Sequence, residues 1–179
     1  CRTPEANTEE ENIKRLNKLM DKGNGDGFYA LAGLYAQGIM SIPQDWNRAH
    51  ELLLKAGELG CSKGYYNLAK SYAEGNGLER DMKKAKNYYE LAAMGGDVWS
   101  RHNLGHMEGR AGNHHRAMKH FIIAAKAGSE SSLDFVKQGL MAGFVSKDIY
   151  EECSHALSER QNEMQSDARE KAEASDMFN

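Results

Sequence analysis

Apolar positions recur at helical spacing through most of this chain, and one paired pattern returns three times. Leu31-Ala32 is followed by Tyr35 and Gly38, Leu68-Ala69 by Tyr72 and Gly75, and Leu104-Gly105 by Gly109. Each is trailed by a second helical pattern that ends on glycine: Lys55-Ala56 to Gly60, Ala92-Ala93 to Gly96, and Ala124-Ala125 to Gly128. Ala49 and Ala85 stand 36 residues apart, and so do Gly60 and Gly96. A fixed period in the mid-thirties predicts helix pairs stacked as a solenoid, each too thin to bury its apolar face alone. The fold class expected is all-α.

The same pattern divides the chain. Residues 1–11 are polar and read as a flexible lead-in, followed by a half-repeat cap over 12–23 with Ile13, Leu16, Leu19 and Met20 on one face. Full repeats are expected at about 26–60, 61–96 and 97–128. The step from Ala85 to Ala117 is only 32, so the third repeat has a shorter inter-helix loop. A degenerate fourth unit covers about 129–157, and 158–179 reads as a polar helix or tail. Pro43 lies just ahead of a second helix expected at 44–59, with Asp45 in its first turn, and Asp81 is the expected N-cap of the next. Gly23-Asn24-Gly25-Asp26-Gly27 lacks the further acids and closing Glu of a calcium loop and reads as a tight turn.

Two helices approach closely only where side chains are small. Ala32, Ala69 and Gly105 on the first helices, with Ala49, Ala85 and Ala117 on their partners, supply those positions. Phe28, Tyr35, Tyr65, Tyr72, Leu52, Tyr88 and Phe121 fill the space beside them.

At this point the order of residues becomes specific. Leu68, Tyr72, Gly75, Gly77, Asp81, Lys84, Ala85, Tyr88, Tyr89, Ala92, Ala93 and Gly95 resemble the Sel-1-like repeat, a branch of the tetratricopeptide superfamily. The first repeat departs by placing Ile42-Pro43 in its loop, and the third lacks the tyrosine. The resemblance implies a right-handed α-solenoid and a non-catalytic scaffold or adaptor for a protein or peptide partner within a larger complex. It also implies that the first helices line a concave face. The exposed positions there lie five, two and one residues before the buried leucine, and two after it. They are Tyr29 in the first repeat, Lys63, Tyr66, Asn67 and Lys70 in the second, and Trp99, His102, Asn103 and His106 in the third. That surface is aromatic, amide-rich and mildly basic, suited to an extended peptide with an acidic group. Separately, Cys1-Arg2-Thr3-Pro4 resembles the end of a RING-type zinc finger. It suggests the alternative of a substrate-binding region of a ubiquitin ligase, although no further zinc ligands stand near Cys1.

Composition narrows the rest. Of 179 residues 40% are hydrophobic, and the mean hydropathy of −0.72 suits a repeat array with a thin core. A net charge of −3 argues against general nucleic-acid binding, and no apolar run reaches the roughly 20 residues of a membrane span. Three scattered cysteines, Cys1, Cys61 and Cys153, suit a reducing compartment better than a disulfide framework. No phosphate loop, carboxylate pair or nucleophile motif is present, so no catalytic residue and no cofactor is expected. The remaining alternative is metal binding: His102 and His106 are one helical turn apart and His114 follows, but the ordinary reading of helical histidines is solvent or a neighbouring loop.

Overall fold

A computed structural model describes the backbone of residues 4–176 and the side chains of residues 10–167. Among the described residues there are nine α-helices and no strand. They are α1 (Pro4–Asp21), α2 (Gly25–Gln37), α3 (Trp46–Glu58), α4 (Ser62–Glu74), α5 (Met82–Met94), α6 (Val98–Arg110), α7 (His114–Lys126), α8 (Glu130–Met141) and α9 (Lys147–Asp176). The chain divides into two compact units, Cys1–Ser100 and Arg101–Asn179.

In the first unit α2 pairs with α3 and α4 with α5, while α3 packs on α4 and α1 on α2. Leu31, Ala32, Leu34, Leu52, Leu53 and Leu68 form the core. Leu16 and Met20 of α1 close one side of it, and Ala49, Ala69 and Ala85 are fully buried. The small residues therefore stand where helix faces meet.

Main-chain bonds repeat with the sequence period. The carbonyls of Tyr35 and Tyr72 accept from the N–H of Asp45 and Asp81, each at 2.9 Å. Gln44 and Arg80, one residue earlier in each loop, donate to the carbonyls of Ala36 and Ala73 at 2.8 and 2.9 Å. Asp45 and Asp81 then cap α3 and α5, Asp45 accepting from Arg48 and Asp81 from both Lys83 and Lys84. Asp45 is thus the cap itself, not a first-turn residue. The N–H groups of Cys61, Asp97 and Ser129 reach back to the carbonyls of Ala56, Ala92 and Ala124 at 2.9, 3.0 and 3.0 Å. Gly60, Gly96 and Gly128 permit this reversal, with φ of 89°, 86° and 106°.

In the second unit α7, α8 and α9 pack together around Ala117, Phe121, Ala125, Val136, Val145 and Cys153. The third repeat's short loop closes through Asn113, whose N–H donates to the Glu108 carbonyl and whose side chain donates to the Glu108 carboxylate at 2.8 Å.

The start of the chain differs from the sequence expectation, while the polar end takes the helical one of its two expected forms. Helix α1 starts at Pro4, inside the stretch read as a lead-in, and proline suits a first helical position. Helix α9 runs unbroken from the fourth unit into the polar end, because no glycine or proline interrupts residues 147–176. Cys1-Arg2-Thr3, the core of the zinc-finger resemblance, lies outside the described residues.

Candidate functional site

Three of the residues nominated from sequence converge in the first unit. Tyr29 from α2 and Asn67 and Lys70 from α4 line one groove of about 500 Å³. Gln37 from the end of α2, Trp46 from the start of α3, Ser71 from α4 and Asn76 from the loop after it add to its polar lining. Trp46 is held by its own surroundings. Its ring lies 5.9 Å from that of His50, and it packs against Gly77, where an added side chain would strike Trp46. Burial holds the His50 imidazole below its ordinary range, opposed by a bond to the Asn76 backbone. Among the described residues no acidic side chain lines the groove. Lys70 reaches Glu74 only at 3.9 Å, with both side chains about half exposed, and such a contact does little to neutralise the ammonium.

The other nominated residues of this unit lie outside the groove lining. Lys63 is exposed, Tyr66 sets its ring 6.0 Å from Tyr89, and Trp99 on α6 is 57% exposed. Trp46 and Asn76 were missed because counting from the buried leucine sees only first helices, and Ser71, three residues after Leu68 on α4, because that position was not counted as exposed. Asn76-Gly77 reads in sequence as a turn and carries no sign of a groove.

In the second unit His102 and His106 depart from the solvated positions expected of them. His102 Nδ1 lies 2.8 Å from the hydroxyl of Ser132, and its Nε2 is 3.1 Å from Nε2 of His106. Both rings meet Phe121 and Phe135 edge-on, with centroids 4.6 to 5.8 Å apart. The two phenyl rings stack on each other at 4.6 Å. Burial, and then the neighbouring His106, lower the pKa of His102; burial, and then the charge of Arg110, lower that of His106. Asn103 is half-buried beside them on α6. His114 does not close a ligand set, since its ring stacks on Phe144 at 5.2 Å. Among the described residues no three His, Cys, Asp or Glu side chains group closely enough to hold a metal ion.

The cysteines are poorly suited to nucleophilic work. Cys61 donates to the Asp26 carboxylate at 3.3 Å, and burial followed by that bond pushes its thiol pKa up. Cys153 is fully buried, and burial raises its pKa as well. Among the described residues no helix is long and apolar enough to cross a membrane.

Comparison with known proteins agrees with this architecture. The Sel1 repeat family model matches residues 29–61, 62–97 and 100–129, more than half of the chain. The chain belongs to the Sel1 repeat family, an all-α helical-repeat solenoid class whose members are generally non-catalytic protein-interaction scaffolds. A Sel1 repeat protein from Oxalobacter formigenes is similar at 21% identity and a TM-score of 0.68, over 83% of this chain and 63% of that one. So is c5321, a protective antigen present in uropathogenic Escherichia coli strains. It shares 24% identity at a TM-score of 0.68, over 83% of this chain and 33% of that one. The chain thus spans less than two thirds of either relative.

Proposed function

We propose that this chain is the docking element of a larger assembly and holds an extended polypeptide with an acidic group in the groove between α2 and α4. One observation carries the reading: Tyr29, Asn67 and Lys70, from the first helices of successive repeats, open onto a single groove with Trp46, Ser71 and Asn76. The amide of Asn67 suits the N–H and C=O groups of a peptide backbone, which an extended chain leaves free, while Asn76, whose amide nitrogen donates to Glu74 at 2.8 Å, keeps its side-chain oxygen as an acceptor. Tyr29 and Trp46 offer flat apolar area at low entropic cost. Lys70 supplies a cation for a carboxylate, which its 3.9 Å contact with the half-exposed Glu74 does little to occupy.

The test begins with a display library of extended peptides selected on the intact protein. Selected peptides should be enriched in Asp or Glu. Their affinity should fall by about tenfold or more in the Asn67→Ala/Lys70→Ala double variant, as expected for losing a charge-assisted contact. Lys63→Ala, an exposed residue outside the groove, should leave affinity unchanged. Undiminished binding in the double variant would place the interface on another surface.

A further inference from the structure

The second unit contains a separate cavity of about 300 Å³ that the docking groove does not use. Its lining divides by burial. Ala117 and Phe121 are buried and Met118 and Phe135 half-buried, whereas Arg110 and His114 are exposed and His106 lies between. The inner lining is therefore apolar and partly aromatic, and the outer lining carries the Arg110 guanidinium beside the His106 and His114 imidazoles. Gly105 and Gly109, one turn apart on α6, leave the helix wall bare. At Gly105 a side chain would strike the Phe121 ring, whereas one at Gly109 would reach only ordinary contact with Ala117, at 3.8 Å.

Charge decides what such a space selects. Among the described residues no acid lines it. Among the described residues no carboxylate pairs with Arg110. A guanidinium next to a hydrophobic cleft matches a planar carboxylate in two parallel hydrogen bonds, while the cleft takes the apolar body attached to it. The volume stands at the lower end for small-molecule sites, enough for one ring and a short chain.

We propose that this cavity binds a carboxylate carried on a single aromatic or branched aliphatic group. Arg110 engages the anion, and Phe121, Phe135 and Met118 contact the apolar part. The proposal does not depend on the α2–α4 groove. Either site can fail while the other stands.

The probe is 3-phenylpropionate, titrated into the intact protein while the side-chain NMR signals of Phe121, Phe135 and His106 are followed. Its neutral amide serves as the control. Saturable shifts are expected with the acid, and binding of the amide should be weaker by about tenfold, the usual scale of a charge-assisted bond. Arg110→Gln changes an exposed helix-end residue and should erase the preference for the acid over the amide. Gly109→Ala keeps the helix and narrows the cavity, so it should weaken both probes. A tripeptide ending in a free phenylalanine carboxylate separates two sources of the same chemistry: tighter binding than phenylpropionate assigns the ligand to a protein C-terminus, weaker binding to a free acid. Unsaturable shifts, equal affinity for acid and amide, or unchanged selectivity in Arg110→Gln would each overturn the proposal.

Discussion

Replacing Gly64 by alanine sets two backbone effects against each other, and the structure decides the winner. In an ordinary helix interior the change stabilises by about 0.5–1 kcal/mol, because alanine has less chain entropy to lose. At Gly64 of α4 the new methyl would lie 2.5 Å from the Leu53 carbonyl oxygen, 2.8 Å from the Gly57 nitrogen and 2.9 Å from Ala56 Cβ. Two of these are main-chain atoms of α3, so no side-chain rotation relieves the contact and the helices must separate. Separation would also disturb Tyr65, whose ring lies so close to Gly57 that a side chain there would meet it at 2.5 Å. Overpacking of this kind costs about 1–3 kcal/mol, which exceeds the propensity gain. The net expectation is destabilisation by about 1–2 kcal/mol. Gly33→Ala on α2 provides the opposite control, since nothing lies within 4 Å of its added methyl; it should stabilise by about 0.5–1 kcal/mol. Urea unfolding followed by far-UV circular dichroism measures both. A Gly64→Ala protein as stable as the parent, with Gly33→Ala behaving as expected, would refute the close approach of α3 and α4.

Acid should weaken the second unit. The folded pKa values of His102 and His106 lie below the free imidazole value, chiefly through burial. The unfolded chain therefore takes up protons first as pH falls through about 6.5, and stability is lost across that window. His50 in the first unit contributes with the same sign, so the measurement is a difference. A His102→Gln/His106→Gln variant should show a shallower fall in thermal midpoint between neutral and mildly acidic pH, and an equal slope would contradict the argument. Among the first-helix caps Asn24, Asp97 and Ser129 each accept a backbone N–H through the side chain, whereas Cys61 does not. Cys61→Ser should therefore stabilise α4 by about 0.5–1 kcal/mol, read as a higher urea midpoint at unchanged slope; a lower midpoint would show that the thiol's packing outweighs the cap.

The helix pairs were legible because they depend on local period and on small residues. Leu68 and Leu104 are buried, as are Ala49, Ala85 and Ala117, where the repeat places them. The α3–α4 contact was not, because Gly57 and Gly64 lie inside helices, where glycine gives no turn signal. The fate of His102 and His106 was hidden for another reason. Counting along α6 sets them on an open face, but Phe135 and Ser132 of α8 cover them. That helix belongs to the unit that has lost the repeat signature, so nothing in the period announces its partners. The groove was half legible: Tyr29, Asn67 and Lys70 follow from the helix face, whereas Trp46 and Asn76 arrive from a helix start and a loop.

The reversals at Gly60, Gly96 and Gly128 are closed by peptide groups reaching back to Ala56, Ala92 and Ala124. Inheritance can therefore act on two levels with little interference. Substitutions at positions such as Asn67 and Lys70, which take no part in those corners, leave them intact, so a lineage of such chains can vary its groove lining while its scaffold persists.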